Sequence, residues 1–347
     1  MKTFYQWKKV LVTGSTWFKG SWLCLWLHHM WADVLWYGLK PHTEPNNFTA
    51  LKLDEKIKQV IGDIRDIDLL WKTIDEFQPE IVFHLAAQPI VRESYENPVY
   101  TIQTNAIWTT NVLEMIRLKD YIKWAVLITT DKVYDNKEWI WPYRENDRLG
   151  GFDPYSSSKA MAELAIDAYT KSFFLKWNKK VAVVRAGNVI GGWDRSRDRL
   201  IPDIVRSIMQ DEKLTLRNPN AVRPWQYMLE ALFWYLTIGM KLFEDDKYLG
   251  AYNFGPDVSD TLKVVDIVEN AIKILGKWAY EVKPETNNNM HEAGLLLLDN
   301  TKAKILLWRT PKYNVNEVLQ RTLKYYKTYY DNWDMVKAAL EEISQFI

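Results

Sequence analysis

The chain has a single cysteine, Cys24, in 347 residues. One thiol excludes an intramolecular disulfide, and among it and the five histidines no Cys/His cluster has metal-ligand spacing, so no metal site is expected. Such a chain suits a reducing compartment, and the expected location is cytoplasmic. Charge of one sign is lacking too: Lys and Arg number 45 against 44 Asp and Glu, a net charge of +1. That balance gives no electrostatic footprint for nucleic acid or an anionic membrane, while a local basic patch for a small phosphorylated ligand stays open. No apolar run approaches the ~18 residues of a membrane span. The apolar stretch Val10 to Val12 behind Lys8 and Lys9 ends at Thr13-Gly14, too short for a signal peptide. Glycine is scarce, at 14, and tryptophan outnumbers it at 18, the reverse of ordinary usage.

What is present describes a folded chain of roughly two domains, since 48% hydrophobic and 26% charged residues leave no room for general disorder. Short β-branched runs at Val10-Leu11-Val12, Val34-Leu35, Val60-Ile61, Ile81-Val82-Phe83, Ala125 to Ile128 and Val181 to Val184 read as strands. Amphipathic stretches alternate with them at Lys19 to Met30, Asp68 to Phe77, Thr104 to Leu118 and Ser156 to Phe174. Strands alternating with helices predict an α/β fold with a doubly wound, Rossmann-like parallel sheet. From about Gly191 the rhythm breaks, and the end reads helical over Val315 to Tyr330 and Met335 to Ile347. The expected organisation is a nucleotide-binding domain over 1–190 and a smaller, mostly substrate-binding lobe over 191–347, with segments that can interleave.

Two places carry chemistry. After the first strand, Thr13-Gly14-Ser15-Thr16-Trp17-Phe18-Lys19-Gly20 has the frame of a phosphate-binding turn opening a helix, where backbone N–H groups and the helix dipole favour an anion. Trp17 stands at its middle position, where a side chain obstructs a pyrophosphate. Asp63 in Gly62-Asp63-Ile64 is placed to meet an adenine amino group or simply to cap a loop, and Leu85-Ala86-Ala87 offers small residues for close approach. No acid follows the second strand; Lys40 there leaves a 2′-phosphorylated cofactor open. The second place is Tyr155-Ser156-Ser157-Ser158-Lys159, with Tyr and Lys four apart on one helix face, where an ammonium favours the phenolate. Thr129-Thr130-Asp131-Lys132 ends the fifth strand, and an adjacent acid and base suit an elimination.

These residues resemble the extended short-chain dehydrogenase/reductase enzymes of nucleotide-sugar metabolism, in the 4,6-dehydratase branch. The resemblance runs over nearly the whole chain. Its specific stretches include Phe18-Lys19-Gly20-Ser21-Trp22-Leu23, His84 to Pro89, Thr130-Asp131-Lys132, Arg185 to Gly192, Asp198 to Asp203, and Arg217-Asn218-Pro219 with Arg223-Pro224-Trp225-Gln226. It implies a lyase that carries out an internal redox cycle with NAD on CDP-glucose or a related nucleotide sugar. In that reading Tyr155 takes the 4-hydroxyl proton, Lys159 lowers its pKa, Thr130 bonds the 4-oxygen, Asp131 is the acid at the C6 hydroxyl and Lys132 stands where most relatives have a glutamate as the C5 base. The resemblance puts the cofactor against Gly14, Thr16, Trp17, Phe18, Gly20, Asp63, Ile64, Leu85, Ala86, Ala87 and Thr104. It puts the substrate against Gln88, Asn188, Arg199, Arg217, Arg223, Gln226 and His291. The helices Thr104 to Leu118 and Ser156 to Phe174 resemble the family's dimer helices, which implies a homodimer or homotetramer. An epimerase and a pseudoenzyme blocked by Trp17 are the competing readings.

Trp17, Trp31, Trp36, Trp108, Trp193 and Trp234 stand where the resembled family has glycine, whereas Trp22, Trp26, Trp139, Trp141 and Trp225 stand where it has tryptophan. The pattern points to a reassigned codon translated as tryptophan in place of glycine.

Overall fold

The computed structural model describes residues 1–14, 16, 18–41, 43–276, 279–283, 293–308, 310–331 and 333–347. Its centre is a seven-stranded, all-parallel sheet built from β1 (Lys9–Thr13), β2 (Asp33–Gly38), β3 (Lys58–Ile61), β4 (Ile81–His84), β5 (Trp124–Ile128), β6 (Lys180–Ala186) and the strand Gly250–Phe254. The order is β3-β2-β1-β4-β5-β6 followed by Gly250–Phe254. The chain thus winds one way from β1 to β3, then returns to the other side of β1 with β4, which opens a crevice between the carboxyl ends of β1 and β4.

Residue alternation along each strand divides the core in two. Val10 and Val12, Ile81 and Phe83, Val126 and Ile128 face one side; Leu11, Val82, Ala125 and Leu127 face the other. The first side is covered by the helix Phe18–His29 and the long helix Met228–Glu244. Leu23, Leu25 and Leu27 of the first helix are buried, each contributing ~1.5–3 kcal/mol of hydrophobic burial. The second side is covered by Ile67–Phe77, Trp108–Leu118 and Pro154–Tyr169.

Two differences from the sequence reading matter for the site. The seventh strand, Gly250–Phe254, comes from beyond Gly191 and pairs with β6 from Gly250↔Ala182 to Phe254↔Ala186. Its run Gly-Ala-Tyr-Asn-Phe lacks β-branched residues, and its place is fixed by Asn253, whose side chain accepts from Tyr134 at 2.6 Å and donates to the carbonyl of Tyr143 at 2.8 Å. The helix expected from Thr104 begins instead with a π turn, Gln103–Ile107, before Trp108–Leu118, and the helix expected to Phe174 likewise ends in a π turn at Thr170–Phe174. The first π turn directs Asn105 inward, where its amide bonds the backbone of Gln88 in both directions, at 2.8 and 3.0 Å, and Ser158 at 2.9 Å. That contact ties the loop after β4 to the Tyr155 helix. No helix among the described residues is long and apolar enough to cross a membrane.

Candidate active site

A cavity of about 570 Å³ opens at the carboxyl ends of β1, β4, β5 and β6. On the β1 side it is lined by Gly14, Phe18, Lys19 and Gly20, and on the β4 side by Leu85 and Ala87. Gly14 has φ +73°, and a Cβ there would lie 2.5 Å from the backbone of Ala86, so the turn admits only glycine at this point. The strand ends that frame it are locked by side chains. Ala86 donates its N–H to Thr13 Oγ1 at 3.3 Å, and Thr13 Oγ1 lies 2.7 Å from His84 Nδ1. Thr16 donates to the carbonyl of Leu39 at 3.0 Å, joining the turn to the end of β2.

Across the cavity stand Thr130, Lys132, Tyr155, Lys159, Asn188 and Arg199. Asp153 caps the helix Pro154–Tyr169, its carboxylate accepting from the Ser156 N–H at 2.9 Å, and this sets Tyr155 and Lys159 on the face turned to the cavity. The Thr130 hydroxyl donates to Asp131 at 3.0 Å. Asp131 is fully buried, with one oxygen 3.5 Å from the Lys132 ammonium and the other without a protein partner. Asp131 itself is not among the residues that line the cavity, although its neighbours Thr130 and Lys132 are; its buried oxygen without a protein partner is a polar group left to be satisfied.

The electrostatics correct one expectation. Burial pushes the Tyr155 phenol up to about 12, against the smaller downward effects of Thr130 and Arg199. Lys159 is not among the main groups acting on the phenol: its Nζ points to the carbonyl of Ile128 at 3.5 Å, while burial, opposed by Glu163 one turn on, brings its own amine down to about 8. In the protein alone the tyrosine is therefore neutral near pH 7, not ionised.

Arg217 and Arg223 also line the cavity. Arg199 is paired with Asp194 at 3.1 Å and Arg217 with Asp198 at 2.9 Å, while Arg223 is buried and bonds the carbonyls of Val222 at 3.1 Å and Gly294 at 3.4 Å. Other sequence-predicted residues stand apart from the open space. The Gln88 side chain is spent within its own loop on Ile90 and Thr101, the latter at 2.9 Å, so it shapes the loop. Asp63 accepts from Arg65 Nε at 2.8 Å, and Ile64 is packed in the core. Thr104 Oγ1 and both polar atoms of the Gln226 amide are buried without a protein partner. Trp17 and His291 lie outside the described residues. The sequence reading passed over Lys19, although its place in the first turn after the glycine turn signals a side chain beside any bound phosphate. Among the described residues no cluster of His, Cys, Asp and Glu could hold a metal.

The cradle at Gly14 and the small residues after β4 fit a dinucleotide laid across the switch point. The family described as GDP-mannose 4,6 dehydratase matches residues 11–322. The CDP-glucose 4,6-dehydratase of Salmonella typhimurium is 45% identical over 352 residues, spanning 100% of this chain and 98% of that protein. A putative UDP-glucose 4-epimerase of Methanocaldococcus jannaschii is 29% identical, over 92% of this chain and 98% of its own. The solved structure of the dTDP-glucose 4,6-dehydratase of Bacillus anthracis in complex with NAD shares the fold, with TM-score 0.79 at 24% identity over 95% of this chain and 99% of that one. With sequence, fold and strand-end site in agreement, the chain belongs to the GDP-mannose 4,6 dehydratase family.

Proposed function

We propose that the protein is a CDP-glucose 4,6-dehydratase, a lyase that converts CDP-glucose to the 4-keto-6-deoxy sugar nucleotide and water. The observation that carries this is the Asp131–Lys132 couple, 3.5 Å apart, with Thr130, Lys132 and Tyr155 lining one cavity. An epimerase inverts one carbon and has no use for a second acid–base pair, whereas an elimination across C5 and C6 needs one. The full-length likeness to a relative of that name supports the choice of nucleotide and sugar.

Tyr155 accepts the 4-hydroxyl proton as the phenolate, the form that the positive charge of bound NAD would favour, and Thr130 bonds the 4-oxygen as it becomes a carbonyl. The ketone acidifies C5, where Lys132 removes the proton once its ammonium has passed a proton to Asp131. Asp131 gives a proton to the departing C6 hydroxyl, which leaves as water. When bound, NAD would supply the hydride acceptor at C4 and give the same hydride back at C6, while Lys132 returns the proton it took to C5. Gly14, Thr16, Phe18, Gly20, Asp63, Ile64, Leu85 to Ala87 and Thr104 would hold it, with Lys159 at its ribose. Arg199, Arg217 and Arg223 suit the substrate diphosphate, since guanidinium geometry matches phosphate oxygens. Asn188, Gln88 and Gln226 complete the substrate side as direct or supporting contacts. The domain over 1–190 takes the dinucleotide and the lobe over 191–347 most of the sugar nucleotide.

A homodimer is part of the reading. Val99, Ile107 and Leu118 on one helical run and Met161, Leu164 and Leu175 on the other are exposed apolar residues, and a second copy would cover them. The lone buried thiol and a nucleotide-sugar substrate suit the cytoplasm.

Mass spectrometry of a CDP-glucose incubation with NAD tests the activity. A product lighter by one water is expected. An isomer of unchanged mass would place the chain with the epimerases, and an unaltered substrate that nevertheless binds would mark a pseudoenzyme.

A further inference from the structure

Lys19 stands in the first turn of the helix Phe18–His29 with its side chain in the cavity. A cation there is disfavoured twice. The N-terminal end of a helix carries partial positive charge, and two more cations, Arg199 and Lys159, act on the same amine. The carboxylates that face it, Asp131 and Asp194, are engaged elsewhere. Asp194 holds Arg199 at 3.1 Å and the Ser196 N–H at 3.0 Å, and Asp131 takes the Thr130 hydroxyl at 3.0 Å and Lys132 at 3.5 Å. Among the described residues no carboxylate forms an ion pair with Lys19, whose one hydrogen bond, at 3.2 Å, goes to the phenol of Tyr235 on the helix Met228–Glu244. Burial, with Arg199 and Lys159 adding to it, brings the amine down to about 7.

We propose that Lys19 is a ligand-binding residue of this site: its ε-amino group receives a diphosphate entering the cavity opposite Arg199 and takes up one proton from solvent as that ion pair forms. The inference rests on the reading of the cavity as a nucleotide-sugar site. An anion at this point turns each unfavourable relation around, because helix end, Lys19 and Arg199 then converge on negative charge. The balance is simple: Nζ gains H⁺ from the buffer, and no bond to phosphorus is made or broken. Two ligands of the reaction carry a diphosphate, the dinucleotide and the nucleotide sugar, and they can be offered separately.

Calorimetric titrations in two buffers of different ionisation enthalpy count the protons. NAD is titrated into the protein, then CDP-glucose into the NAD-loaded protein. For one of the two ligands an uptake of about 0.9 proton at pH 8, falling to about 0.1 at pH 6, is expected, and that ligand is the one Lys19 meets. Lys19→Arg, always charged, should bind it without uptake, and Lys19→Met should bind it ~10–100-fold more weakly, also without uptake. Uptake unchanged in Lys19→Met, or none with either ligand, overturns the proposal. In that event tight CDP-glucose binding leaves the dehydratase reading standing. Failure of CDP-glucose to bind, with uptake on NAD retained, removes the substrate reading and keeps Lys19 as a diphosphate ligand.

Discussion

Thr13 and His84 face each other at the ends of β1 and β4, with Oγ1 and Nδ1 2.7 Å apart, at the mouth of the crevice. The roles follow from their neighbours. Thr109 donates its hydroxyl to the carbonyl of Asn105 at 2.7 Å, so it accepts from His84 Nε2 at 3.3 Å; Nδ1 is then the acceptor for Thr13. A neutral imidazole thus completes a chain from the Ala86 N–H to the Asn105 carbonyl. Burial, with Lys159 adding to it, takes His84 from 6.5 down to about 3. Between those values the unfolded chain binds the proton and the folded one does not. The stabilisation is full above pH 6.5 and is lost as pH falls toward 3, by up to about 1.4 kcal/mol per pH unit. Urea midpoints of the wild type and His84→Gln from pH 7.5 to 4.5 should converge on acidification; a constant gap would refute the tautomer and burial argument.

Tyr155, at about 12, should stay protonated through neutral pH in the protein alone. The difference in phenolate absorbance between wild type and Tyr155→Phe should show no ionisation below pH 10 without ligands, and an earlier onset once NAD is added, because a positively charged ring beside the phenol favours its anion. Tyr155→Phe should cut turnover by roughly 10²–10⁴ with CDP-glucose binding retained. An ionisation near pH 7 in the protein alone would show that the Lys159 ammonium outweighs burial.

Period and punctuation carried the sheet as far as β6, because each strand there is a β-branched run between turn residues. The strand Gly250–Phe254 was invisible to that test: its register comes from Asn253 hydrogen bonds to Tyr134 and Tyr143, over a hundred residues away in sequence. The Tyr155–Lys159 pairing was legible from spacing four, and Thr130 to Lys132 from a strand end. Their protonation was not, since burial sets it and spacing carries no information about burial. Lys19 is not marked by the glycine frame, which specifies the backbone of the turn and carries no information about the side chain beside it.

Lys132 sits at 3.5 Å from Asp131 with its side chain one-fifth exposed, reaching the cavity from the short helical turn Asp131–Val133. If it is the C5 base, Lys132→Met should leave the oxidation at C4 intact and stall the elimination. Adding CDP-glucose to the NAD-loaded variant should then leave reduced nicotinamide absorbance standing, with turnover lower by roughly 10²–10⁴. Lys132→Glu, a carboxylate base at the same position, should recover part of it. A Lys132→Met variant that turns over at the wild-type rate would assign the base elsewhere.

Among the described residues, four of the ten non-glycine residues at positive φ are tryptophans, Trp7, Trp31, Trp193 and Trp308, an enrichment that a bulky L-residue does not produce on its own account. Trp31 and Trp193, at φ +67° and +73°, are among the six that the sequence resemblance sets at glycine positions. Of the other four, Trp36, Trp108 and Trp234 bury their indole N–H without an acceptor, as Trp193 does, while Trp17 is outside the described residues. At family tryptophan positions the indoles of Trp22 and Trp225 bond the carbonyls of Gly192 and Leu262 at 3.1 and 2.9 Å, although Trp26 shares the unpaired state. Trp31 ends the helix Phe18–His29 in the left-handed position that glycine favours, with the Ala32 N–H returning to Leu27 at 3.1 Å and the indole more than half exposed. Trp31→Gly should therefore stabilise the fold by about 1 kcal/mol, a rise of roughly 1–2 °C in Tm for a chain of this length. A fall would show that the Trp7–Trp31 ring contact outweighs the strain. The gene offers the sharper reading: one codon, different from that at Trp22, Trp139 and Trp225, is expected at all six glycine positions, and ordinary tryptophan codons at Trp17 and Trp193 would end the reassignment argument.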